Sequence, residues 1–116
     1  AIEEIGRVEG GKALERQQFS TNTVLCSNDR LAIGFLTACY ERRLRVGRDP
    51  DCTIRVAGQD DHPFSRFTCP PLTTIAQDYD SVSRCVVEIL FRSIEGDDTP
   101  REETLFEGKL IMRASA

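Results

Sequence analysis

Two short polar runs hold the residues whose types could do chemistry, Ser27-Asn28-Asp29 and Gly58-Gln59-Asp60-Asp61-His62. A carboxylate and an amide that converge suit a hydroxyl-rich ligand. The amide both donates and accepts, and the carboxylate accepts from neighbouring hydroxyls in defined directions. Asn28 and Asp60 are therefore the expected ligand contacts. Asp29 and Asp61 are expected to serve structure, because Asn and Asp at strand ends cap helices and hold turns. His62, followed by Pro63, reads as a loop residue rather than a base or a metal ligand. Hydrolysis would need carboxylates in unlike environments, or a base beside a nucleophile. The chain has one histidine and no GxSxG, GxGxxG or phosphate-loop motif. Neither enzymatic activity nor a cofactor is expected.

The five cysteines, Cys26, Cys39, Cys52, Cys69 and Cys85, contain no CxxC pair. A zinc site needs closely spaced ligand pairs, so no metal is expected. Cys26, Cys39 and Cys85 lie among apolar residues and read as small hydrophobes. An odd number of unpaired thiols fits a reducing cytoplasm.

The elements that must position Asn28 and Asp60 follow from the pattern. A surface helix is expected over roughly 3–17, with Gly10 and Gly11 each costing it about 1 kcal/mol. TVLCS (23–27) and TIRVAG (53–58) read as buried strands. Between them Leu31, Ala32, Phe35, Leu36, Ala38 and Cys39 mark one wide apolar stripe of a helix. Asn28 or Asp29 would cap its start, and Arg42, Arg43 and Arg45 would face its negative end. A strand, a helix and a strand in so few residues make a βαβ unit with a parallel sheet. Both polar runs then sit at carboxyl ends of parallel strands, the edge where open α/β sheets bind ligands. A second helix is expected over 77–95, then β structure over TLFEGKLIMR, as a hairpin or as one strand bent at Gly108.

The 116 residues allow one domain, 40% apolar content allows a core, and a net charge of −4 gives no global attraction for nucleic acid. No run approaches the length of a membrane span. The start lacks both a signal-peptide layout and an initiator methionine, so the chain reads as a piece of something longer.

VLCSNDRLAIGFL, LRVGRDPDCTIRVAGQDD, CPPLTTIAQDY and LFEGKLIMRAS, in that order and spacing, resemble the C-terminal part of the effector-binding core of the lactose/galactose-repressor family. The resemblance implies a three-layer αβα fold of the periplasmic-binding-protein type I kind, present as an incomplete fragment. It implies that residues 1–75 are the C-terminal subdomain portion, 76–101 the crossing helix of the other subdomain, and 102–116 the returning β segment. Asn28 and Asp60 would contact ligand hydroxyls, and Gln77, Tyr79 and Val82 would line the pocket mouth. Leu72, Thr73, Thr74 and Ile75 would form a hinge crossing. Leu31, Phe35, Phe67, Thr68 and Cys69 would fall in a dimer interface. The implied function is a cytoplasmic sensor for a small effector, a sugar or related metabolite, in a homodimeric regulator that binds operator DNA through an N-terminal helix-turn-helix absent from this chain. A periplasmic sugar-binding protein of an uptake system is the alternative. Gln59, where the family favours an aromatic, and Ser83, where it favours glycine, depart from the pattern.

Overall fold

The computed structural model describes residues 1–97 and 103–116, and it divides into two compact units, 1–76 with 110–116 and 77–109. In the first unit, helix α1 (Ile2–Glu15) precedes strand β1 (Thr23–Leu25), helix α2 (Asp29–Glu41) and strand β2 (Arg55–Ala57). The β1–β2 ladder is parallel, with Val24 opposite Val56, so α2 is the crossover of the expected βαβ unit. A single 3-10 turn (Ser65–Phe67) leads to strand β3 (Thr74–Ala76). It continues the sheet: Ala57 bridges Thr73 in parallel sense, and the Asp60 N–H donates to the Ile75 carbonyl at 2.8 Å. Strand β4 (Lys109–Ile111) pairs with β3.

The core is the α2 stripe against the sheet: Ala32, Phe35, Leu36 and Cys39 with Ile54, Val56 and Leu72. Burying such a set supplies most of the free energy that opposes chain entropy. The second helical layer rests on small residues. Gly6 of α1 lies against the Leu31 backbone and Gly34 of α2 against the Glu3 carbonyl, both too close to admit a Cβ. Gly10 faces the Phe35 ring and Gly11 the Arg42 guanidinium. The pair expected to weaken α1 instead lets it approach α2. Charged residues border the contact, with Arg7 paired to Glu41 at 2.6 Å and Arg30 to Glu3 at 2.5 Å. The Arg30 hydrogen bond holds the Glu3 carboxyl down to about 2.

Three expectations change. Strand β1 is not buried on both faces: Val24 packs against the core, whereas Leu25 stays 70% exposed. The β structure expected across the tail begins only after Gly108; residues 103–108 are irregular. Phe35, expected at an interface, is 3% exposed within this chain: it lies under α1 and meets the Phe19 ring edge-on at 5.7 Å.

The second unit holds α3 (Tyr79–Ile94), capped by Asp78, which accepts from Ser81 N–H at 3.1 Å and Ser81 Oγ at 2.6 Å. Gly96, at φ +83°, follows it in the left-handed conformation that commonly ends helices. None of its residues is buried. The expected change from helix to returning segment, at 101–102, lies outside the described residues.

Candidate functional site

Three strand ends of the first unit meet around Asp29. This carboxylate is 1% exposed. Its Oδ1 accepts from Thr74 Oγ1 at 2.6 Å, and its Oδ2 accepts from Ser65 Oγ at 2.6 Å and from His62 N–H at 2.8 Å. A buried carboxylate is tolerable only with such partners. Gly58, at the end of β2, is the floor of this arrangement: a Cβ there would collide with Asp29 Oδ1. The Asp29 N–H donates to the Gln59 carbonyl at 2.9 Å, which closes the β1 end onto the β2 end.

Asn28 immediately precedes this hub. Its Oδ1 caps α2 by accepting from the Leu31 N–H at 2.9 Å, as expected from its type. The cap occupies the oxygen, so Nδ2 is the group it can offer outward. Asp60 follows Gly58 and Gln59 at the end of β2, and its side chain is exposed. Its φ is +110° and that of Asp61 is +50°. Such geometry in side-chain-bearing residues costs about 1–3 kcal/mol each and clusters at ligand clamps and switch regions. Asp61 turns inward, and its Oδ1 accepts from the Arg113 guanidinium at 2.9 Å. Asn28 and Asp60 thus stand at the carboxyl ends of adjacent parallel strands, while Asp29 and Asp61 hold the framework. His62 is part of that framework too: its Nδ1 accepts from the Phe64 N–H at 3.1 Å.

Of the expected hinge, Leu72, Thr73 and Thr74 are buried, and Ile75 is half-buried. Thr73 Oγ1 donates to the Ala116 carbonyl at 2.9 Å, and its N–H donates to the Ser115 hydroxyl at 2.8 Å. These residues are anchored in the first unit, which ends after Ala76. Gln77, Tyr79 and Val82 belong to the second unit; Gln77 and Val82 are half-buried, and Tyr79 is 54% exposed. Tyr79 and Val82, three apart on α3, share one helix face.

Phe67 is 74% exposed and Cys69 is exposed, with Thr68 half-buried between them and Leu31 half-buried on α2. The Cys69–Pro70 peptide is cis. Cys69 borders a cavity of about 360 Å³ lined also by Leu36, Tyr40, Arg45, Arg48 and Cys52. No expected ligand contact lines it. All five thiols are free. Burial, then the Asp29 charge, raises Cys26 to about 11, and burial raises Cys39 to about 12. Among the described residues Asp49, Asp51 and Cys52 place ligand-type atoms within 4.8 Å of one another, and Asp51 is taken up by Arg45. Counting cysteine and histidine alone passed over this group.

Sequence reasoning missed Ser65 and Arg113, and it gave Thr74 only as a hinge residue. A hydroxyl in a turn or a strand and an arginine in the tail carry no local signal, since their partners lie far along the chain.

A family model described as periplasmic binding protein-like domain matches residues 3–116. The transcriptional regulator MalR of Streptomyces coelicolor is 32% identical over 110 residues, covering 93% of this chain and 31% of that protein. The repressor PurR of Mannheimia succiniciproducens is 36% identical over 92 residues, covering 79% of this chain and 26% of that protein. The chain spans about a third of the length of the curated relatives it matches. Among solved structures, the lac repressor dimer bound to operator and an anti-inducer superposes with a TM-score of 0.81 at 29% identity, over 97% of this chain and 37% of that one. A regulator from Arthrobacter in complex with lactose gives 0.77 at 30% identity, over 97% of this chain and 41% of that one.

Proposed function

This chain belongs to the periplasmic binding protein-like domain family, in its lactose/galactose-repressor branch, and from that premise we propose that it is part of the effector sensor of a DNA-binding transcriptional regulator. The observation that carries the reading is the placement of Asn28 and Asp60 at neighbouring parallel strand ends over the buried Asp29. An amide donor and a carboxylate acceptor select a small molecule with adjacent hydroxyls, that is, a sugar or a related metabolite. A relative crystallised with lactose, and another named for a ribose operon, support that class.

In the whole regulator the effector binds one state of the sensor better than another, and this difference shifts affinity for operator DNA held by a helix-turn-helix elsewhere in the protein. Leu72, Thr73, Thr74 and Ile75, at the end of the first unit, form the hinge crossing. Phe67, Thr68 and Cys69, with Leu31, supply the homodimer contact. The regulator relatives favour this reading over an uptake protein, and five free thiols suit the cytoplasm. No helix among the described residues is long and apolar enough to cross a membrane.

Asp60→Ala in the full-length regulator tests the assignment by calorimetric titration with lactose, maltose, ribose and galactose. We expect at least about tenfold weaker binding of the preferred sugar, with the dimer intact by sedimentation. A change smaller than ~1 kcal/mol, the scale of one net hydrogen bond, removes Asp60 from the site.

A further inference from the structure

We propose that the Thr74 hydroxyl is the positioning contact through which strand β3 sets effector affinity, by holding the Asp60–Asp61 backbone in its left-handed conformation. The inference rests on the reading of Asp60 as an effector contact.

Thr74 is fully buried, and its hydroxyl is used in both senses. It donates to Asp29 Oδ1 at 2.6 Å and accepts from the Asp61 N–H at 3.2 Å. The Asp61 peptide that it holds is the one joining Asp60 to Asp61, the two residues at φ +110° and +50°. The far side of the same turn is fixed to the same strand. Asp61 Oδ1 accepts from the Arg113 guanidinium at 2.9 Å, and that guanidinium donates to the Leu72 carbonyl at 3.0 Å. The Arg113 N–H completes the ring by donating to Thr73 Oγ1 at 2.9 Å. The Asp61–Arg113 pair is well shielded, with side chains 25% and 14% exposed. Two consecutive side-chain-bearing residues do not hold left-handed geometry unaided; surrounding contacts must over-determine it. Here those contacts come from Leu72, Thr73, Thr74 and Ile75, whose carbonyl accepts from the Asp60 N–H at 2.8 Å, in the segment leading the chain out of the first unit. Meanwhile Asp29 Oδ2 pins His62 and Ser65 farther along the loop. A displacement of β3 therefore alters the direction in which Asp60 presents its carboxylate, while the rest of the loop stays in place.

Thr74→Val keeps the shape and deletes the hydroxyl, leaving the Asp61 N–H without its acceptor and Asp29 Oδ1 without a donor. The test is a double-mutant cycle in the full-length regulator, titrated with the tightest-binding of lactose, maltose, ribose and galactose. The expected result is about tenfold weaker binding in Thr74→Val, near wild-type binding in Thr74→Ser, and no further loss when Thr74→Val is added to Asp60→Ala. Loss of thermal stability with unchanged affinity would show a merely structural threonine and overturn the proposal, as would fully additive losses. If Asp60→Ala binds like wild type, or if none of the four sugars binds, the underlying reading fails and takes the proposal with it. Should Thr74→Val not fold, Arg113→Gln releases Asp61 from the other side. It must then weaken binding severalfold in the wild-type background and not in Asp60→Ala, and equal losses in both would refute the proposal.

Discussion

At the scale of single residues, the chain separates groups that face solvent from groups that hold others in place. Asn28 does both, capping α2 through Oδ1 while its amide nitrogen remains to donate. The polar types at the strand ends were readable from sequence, because amide and carboxylate chemistry is a property of the residue itself. The hub role of Asp29 was readable only in kind. A structural aspartate was expected, but its partners Ser65 and Thr74 lie 36 and 45 positions away. The thiols show the same divide. Cys39 is fully buried and raised to about 12, and Cys26 is raised to about 11, so little of either is thiolate at neutral pH. Cys69 is exposed. Iodoacetamide at pH 7.5 is expected to label Cys69 well before Cys26 or Cys39, as peptide mapping over time would reveal. Early labelling of Cys39 would mean that α2 does not pack as described.

At the scale of elements, the α2 stripe and the βαβ order were legible, because periodicity and strand composition are local. What sequence could not supply was the role of the α1 glycines. Helix propensity counts Gly10 and Gly11 as losses, whereas Gly6 and Gly34 bring two backbones into contact and Gly10 makes room for Phe35. Such close approach is a tertiary fact and overrides the propensity. It follows that Gly34→Ala, which would strengthen α2 in isolation, should destabilise the folded chain by about 1–3 kcal/mol, since its Cβ meets the Glu3 carbonyl. Thermal or urea unfolding measures this, and a stabilised variant would place α1 elsewhere. The burial of Phe35 under α1, where an interface had been expected, arises from this same contact. Length misled for the tail: the run suggested a hairpin or one strand bent at Gly108, but pairing with β3 is confined to Lys109–Ile111.

At the scale of the whole molecule, the helix expected over 77–95 forms as α3, yet its Val86, Leu90, Phe91 and Ile94 are all more than half exposed. Periodicity tells which face is apolar and says nothing of what covers it. Phe67, near Cys69, is another exposed apolar residue. As the proposed homodimer contact, it should tolerate no charge: Phe67→Glu in the full-length regulator is expected to sediment as a monomer with sugar binding preserved, and an unaltered dimer would exclude this face. A different consequence follows from the carboxylate at the meeting of the three strands. The loop carrying Asp60 is not a separable cassette, because its shape is imposed from outside it by Asp29, Thr74 and Arg113. Transplanting residues 58–65 into another sensor, to lend it a new sugar preference, would carry over the letters without the geometry. A recipient would also have to supply a buried acid after its first strand, a hydroxyl in its third and an arginine in its tail.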